Sequence, residues 1–137
     1  MIHVPPGQQA GPTGKTGSLF TGHAFPYLTL PATDGVTINT VTFNPGARTF
    51  WHSHERGQIL QVVAGKGLVQ SEGGDCLELR AGDTVWTPPG ERHWHGAAPD
   101  SYLTHVAISL GATQWAEELD ELAYRASTGS AQGVSDV

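Results

Sequence analysis

Gly46-Ala47-Arg48-Thr49-Phe50-Trp51-His52-Ser53-His54-Glu55-Arg56-Gly57-Gln58 and, further on, Pro88-Pro89-Gly90-Glu91-Arg92-His93-Trp94-His95 decide how this chain is read. The first stretch sets Gly46, and the second Pro88, Pro89 and Gly90, as turn residues ahead of a His-x-His pair. Residues two apart on a strand share a face, so His52 and His54 point one way, and His93 and His95 do likewise. Gln58, four residues after His54, joins that face if the strand is uninterrupted. Imidazole suits Mn, Fe, Co, Ni, Cu and Zn. One such pair is ordinary; two pairs behind turn glycines point to a metal site. A further histidine, His105, sits on a later apolar run.

Outward from these pairs the apolar period is two. Val36–Phe43 reads as a strand that ends at Asn44-Pro45-Gly46, a turn signal. A second strand covers 58–63 and closes at Ala64-Gly65-Lys66-Gly67. Segments 68–70 and 76–79 flank Glu72-Gly73-Gly74-Asp75 as a hairpin. Further strands are expected at 84–86, 93–95 and 102–110. Short strands punctuated by many of the 18 glycines and 9 prolines argue for an all-β sandwich or barrel.

A length of 137 residues suggests one domain. Residues 1–18, rich in Gly, Pro, Thr and Gln, read as an N-terminal arm. Residues 19–126 read as the domain, and 127–137 as a flexible tail. Gly11-Pro12-Thr13-Gly14-Lys15-Thr16 is no phosphate loop, because Gln9 stands where that pattern needs glycine. Trp115, Leu119, Leu122 and Ala126 fall at helical spacing, with Glu117, Glu118, Asp120 and Glu121 opposite. The spacing predicts a C-terminal helix over about 113–126, with Thr113 as its N-cap.

The charge balance is 7 basic against 13 acidic residues, net −6. An acidic chain with no Lys/Arg cluster is a poor candidate for phosphate-backbone binding, so no nucleic-acid partner is expected. No apolar stretch approaches the ~20 residues of a membrane span, so no membrane partner is expected. One cysteine, Cys76, rules out an internal disulfide framework. Residues 1–20 show no signal-peptide pattern, and a cytoplasmic location is expected.

The turn and histidine offsets resemble the cupin family. Its first motif is a glycine, five residues, His-x-His, three or four residues, Glu, six residues and a glycine, met here by Gly46, His52, His54, Gln58 and Gly65. Its second is a glycine, five residues, Pro-x-Gly, two residues, His, three residues and Asn, met by Gly82, Pro88, Gly90, His93 and Ala97. The resemblance covers roughly residues 36–110. It implies a double-stranded β-helix, the small jelly-roll barrel, with a metal in its mouth. Gln58 departs from the family's Glu and Ala97 from its Asn.

A closer resemblance lies in Thr42-Phe43-Asn44-Pro45-Gly46-Ala47-Arg48-Thr49, Trp51-His52-Ser53-His54, Pro89-Gly90-Glu91-Arg92-His93-Trp94-His95-Gly96-Ala97 and Thr104-His105-Val106-Ala107-Ile108. These are similar to bacterial cupins that include manganese-dependent hydroxynitrile lyases. That resemblance implies His52, His54, Gln58 and His93 as ligands of one divalent metal. Manganese is foremost, with Fe, Zn, Ni and Co as alternatives. It implies His105 as catalytic acid/base, and it places a homo-oligomer, dimer or tetramer, among the expectations. A neutral Gln58 leaves a bound ion its full charge and tilts the chemistry from oxygen activation toward Lewis-acid catalysis of a small-molecule substrate.

His95 is expected to be a second pocket base or a support for a ligand. Asn39, Val41 and Ser109 are expected in the substrate pocket, with Trp94 and Phe50 as its wall. Arg48 reads as a solvated or interface charge, and Glu55 as facing away from the metal. Metal affinity is expected to fall below about pH 6.5, where free imidazole protonates. Other readings stay open: an Fe/Mn dioxygenase, a cyclase or isomerase, or a non-catalytic ligand-binding module.

Overall fold

The computed structural model describes residues 1–9, 11–12 and 19–131. Its strands are β1 (Gly11–Pro12), β2 (Phe20–Thr21), β3 (Ala24–Thr33), β4 (Val36–Phe43), β5 (Arg48–Thr49) and β6 (His52–His54), then β7 (Gln58–Ser71), β8 (Cys76–Arg80), β9 (Thr84–Thr87), β10 (His93–Ala97), β11 (Leu103–Leu110) and β12 (Thr113–Trp115). One α-helix follows, α1 (Glu121–Ser130). Of the expected arm and tail, residues 10, 13–18 and 132–137 lie outside the described residues.

All pairings are antiparallel, and they make a nearly closed, two-sheet barrel. One sheet runs β1-β3-β4-β11-β7-β9. The other joins β2, β5, β10, the second half of β7, and β8. β7 belongs to both, so the strand expected to close at Gly65 instead bends there and continues. Gly65 has φ +82°, and a Cβ on it would collide with the Tyr102 carbonyl. Only glycine lets the strand turn the corner. Between the sheets pack Val41, Phe43, Val62, Val69, Leu79 and Leu103.

The second apolar cluster lies outside the barrel. Leu68, Cys76 and Trp94 face out from their strands and are covered by Leu119 and Tyr124. Trp94 is therefore not pocket wall: its neighbours His93 and His95 point in, so it must point out. Its Nε1 donates to Gln70 Oε1 at 3.1 Å, and its ring meets Tyr124 edge-on. Arg48 is also corrected. It is buried, pairs with Glu121 at 2.9 Å and lies over the Tyr124 ring.

The C-terminal helix exists, but later than its spacing predicts. Asp120, not Thr113, is the N-cap, accepting from Ala123 N at 2.7 Å. The helix runs on to Ser130, into the expected tail, and Leu122 faces solvent. Residues Thr113–Trp115 form β12 instead, because β6 needs a partner: Thr113 pairs with His54 and Trp115 with His52. Ladder bonds and burial outweigh local helical periodicity here. β3 went unassigned from sequence because Pro26 and Pro31 interrupt it; they are tolerated near a sheet edge. No helix among the described residues is long and apolar enough to cross a membrane.

Candidate metal centre

β6, β7 and β10 bring His52, His54, Gln58, His93 and His95 into one end of the barrel, all buried. His93 pairs directly with His52 across the β10–β6 ladder. The His52 and His93 rings lie 4.3 Å apart between centroids, and those of His54 and His93 5.4 Å. His52, His93 and His95 can each offer a nitrogen, all within 4.8 Å of one another. Geometry thus gathers His95 as tightly as the expected ligands, a proximity the sequence did not single out.

Three rings are anchored through Nδ1. His52 Nδ1 faces Phe50 O at 2.8 Å, His93 Nδ1 faces Glu91 O at 3.0 Å, and His54 Nδ1 faces Thr113 Oγ1 at 3.0 Å. A carbonyl only accepts, so His52 and His93 carry their proton on Nδ1 and present Nε2 as a lone pair. His54 Nε2 is buried with no hydrogen-bond partner among the described residues. Gln58 is oriented by Ser109: its Nε2 donates to Ser109 Oγ at 3.0 Å. That turns Gln58 Oε1 toward His93 Nε2, 3.2 Å away. Two lone-pair atoms then face each other in a buried site, which a cation between them would satisfy. Neutral N and O donors of this kind suit a divalent transition metal.

Burial also keeps these imidazoles uncharged. Desolvation, helped by neighbouring histidines, lowers His52 well below the usual range and His54 to about 4; desolvation alone lowers His93. Proton competition for the ligands therefore begins at more acid pH than 6.5, a correction to the sequence expectation.

His105 lies behind, bonded to His95: His105 Nε2 and His95 Nδ1 are 3.0 Å apart. His105 is wholly buried against Phe43 and does not reach the cavity, whereas His95 does. His95 Nε2 and His105 Nδ1 have no hydrogen-bond partner among the described residues. Desolvation lowers both, His105 to about 4.

The cavity beside these rings measures about 170 Å³. Asn39, Val41 and Ser109 line it, as expected, together with Pro26, Phe20 and Trp115. Asn39 Oδ1 is buried and has no hydrogen-bond partner among the described residues. Trp115 lies 4.6 Å from the His52 ring, with Phe20 beyond it. Sequence reasoning missed Phe20 and Trp115; β2 is too short to show a period, and Trp115 was absorbed into the helical pattern. Among the described residues no Asp, Glu, Lys or Arg lines the cavity, and Glu55 is exposed.

The cupin domain profile matches residues 39–108. The chain belongs to the cupin family. This cupin is 45% identical over 125 residues to a (R)-mandelonitrile lyase of Granulicella tundricola, a match spanning 87% of this chain and 95% of that one. It superposes with a TM-score of 0.82 on a cupin-like protein of Thermotoga maritima, 38% identical and covering 86% and 94% of the two chains. A polyketide cyclase of Streptomyces resistomycificus aligns at TM-score 0.69 over 96% and 99% of the chains, but at 15% identity it shares the fold alone.

Proposed function

We propose that this cupin is a metal-dependent lyase that cleaves, and in reverse forms, cyanohydrins of small aldehydes or ketones. The observation that carries the metal is the facing of His93 Nε2 and Gln58 Oε1 at 3.2 Å. The ligand set is His52, His54, Gln58 and His93, with manganese as the first candidate ahead of iron, zinc, nickel and cobalt. When bound, such an ion supplies Lewis acidity that lowers the pKa of a hydroxyl.

The rest is done by the chain. An uncharged cavity of about 170 Å³ favours a small neutral substrate over a carboxylate. Phe20 and Trp115 offer apolar surface for its side group, and Asn39 an unpartnered amide oxygen. His95, at the cavity wall with His105 behind it, takes the hydroxyl proton. The O–H electron pair forms the carbonyl, and the bond to the nitrile carbon breaks with its pair on cyanide. The imidazolium then returns the proton, releasing hydrogen cyanide. His105 fixes the His95 ring and shares the charge, so the acid/base unit is the pair rather than His105 alone. The 45% identity to a mandelonitrile lyase supports this substrate class.

The experiment is mandelonitrile cleavage by manganese-loaded protein beside a chelator-treated control, with chiral analysis of the remaining cyanohydrin. Turnover well above the control is expected. Rates equal to the control would remove the lyase reading.

A further inference from the structure

A second cavity opens on the flank of the barrel. Among the described residues β8 and β9 each pair with β7 alone, on either side of its corner at Gly65, so the two sheets part between them. The cleft left there measures about 340 Å³, against 170 Å³ for the cavity beside the histidines, and the two share no lining residue. Small-molecule sites usually hold roughly 300–1,000 Å³ behind apolar and aromatic walls with a few polar groups.

The floor of this cleft is the open end of the core. Val69 is a core residue, and Val85 packs against the same cluster. Leu77 lies opposite Val69 across the β7–β8 ladder and so faces the same way. Two residues on, Leu79 shares that face and is 2% exposed, whereas Leu77 is 49% exposed, because no strand crosses over it. Trp86 makes the other bank and is more than half exposed. The tip of its ring lies over Gly57, where a Cβ would come within 2.5 Å. The missing side chain seats the indole against the backbone and leaves the rest of the ring to the cleft.

The polar groups of the cleft carry one sign of charge. Asp75, from the hairpin before β8, and Glu91, from the loop after β9, both line it, and among the described residues no Lys or Arg does. Glu72, Glu78, Asp100, Glu117 and Glu121 are each neutralised by an ion pair, but Asp75 and Glu91 are in none among the described residues. We infer that this cleft binds a small aromatic amine in its ammonium form, the ring held by Leu77, Val85 and Trp86 and the cation by Asp75 and Glu91. A bare inorganic cation makes no use of the apolar floor, a neutral ring leaves the carboxylates uncompensated, and an anion is repelled by them and by the net charge of −6. Trp is also the side chain whose ring face attracts an ammonium most strongly. The inference is independent of the lyase reading.

The test is calorimetric titration of the full-length protein with phenethylamine, once manganese-loaded and once chelator-treated. Binding is expected in both, because the cleft shares no residue with the metal centre. Phenethyl alcohol, which keeps the ring and loses the charge, is expected to bind about tenfold more weakly, the weight of two exposed carboxylates and one ring–cation contact. Hydrocinnamate, with the opposite charge, is expected not to bind. Trp86→Ala, and the double change Asp75→Asn with Glu91→Gln, are each expected to weaken the amine about tenfold or more. Circular dichroism checks folding; should Trp86→Ala unfold, Leu77→Lys, which sets a cation of the chain's own in the half-exposed position, decides by abolishing binding. Four results overturn the inference: no binding of the amine, equal affinity for amine and alcohol, an affinity that the cleft variants leave unchanged, or binding that disappears with the metal.

Discussion

The two histidine groups of this cupin are built from the same residue, at similar burial, on β6, β10 and β11, yet they are wired differently. His52, His54 and His93 are held through Nδ1 by Phe50 O, Thr113 Oγ1 and Glu91 O, leaving Nε2 for the site. His95 and His105 are held by each other. What a buried histidine does is thus set less by its own side chain than by the atom that occupies its other nitrogen. A carbonyl fixes the tautomer and leaves a permanent lone pair, as a ligand needs. A second imidazole leaves the proton shareable, as an acid/base needs.

The sharpest way to break that contrast is to remove one member of each group. His105→Phe, which keeps a ring against Phe43, is expected to lower kcat on mandelonitrile by roughly 10²–10⁴-fold, the usual weight of a general acid/base. Manganese affinity, read by EPR titration, stays unchanged and the pH–rate profile shifts. If metal affinity fell in step with kcat, the two groups would be one. His93→Ala does the reverse: it is expected to weaken manganese by more than the roughly 10–100-fold typical of losing an outer hydrogen-bond partner. His54→Ala and His95→Ala then separate two geometries, since His95 lies as close to His52 and His93 as any ligand. The proposed ligand set requires the larger affinity loss in His54→Ala; the larger loss in His95→Ala would move His95 into the coordination sphere.

A smaller effect comes from the support of Gln58. Ser109→Ala frees the amide to turn its nitrogen toward the imidazoles. It is expected to weaken manganese about tenfold, while Ser109→Thr, which keeps the hydroxyl, restores it. Equal affinities in the two variants would show that Ser109 does not orient the amide.

A separate effect, on folding, follows from the same burial. In metal-free protein, desolvation holds His54 and His105 at about 4 against 6.5 when unfolded. Between those values the unfolded chain binds protons that the folded chain refuses, so stability falls as pH drops from about 6.5 to about 4. His105 alone contributes roughly 3 kcal/mol across that window, at ~1.4 kcal/mol per pKa unit. Urea midpoints at pH 7, 5.5 and 4 measure it; His105→Phe flattens part of the slope, and a slope unaltered by that change would contradict a neutral buried ring.

The sequence by itself determined the strand period, the turns at Gly46 and Gly90, and the faces of the two His-x-His pairs. Those features are local: a strand has period two, and a turn needs the residue types that tolerate it. It also located Asn39, Val41 and Ser109 on the cavity side of their strands. It could not say that Thr113–Trp115 would be a strand, because only the empty edge of β6 makes them one. Alternation turns Trp94 to the face opposite His93 and His95, but it could not say that α1 would arrive there to cover it. Nor could it rank His95 against His54 or set His105 behind His95. Those are distances between residues 10 to 43 positions apart or more, from His95 and His105 to His52 and His95, and only the closing of two sheets around a shared strand decides them.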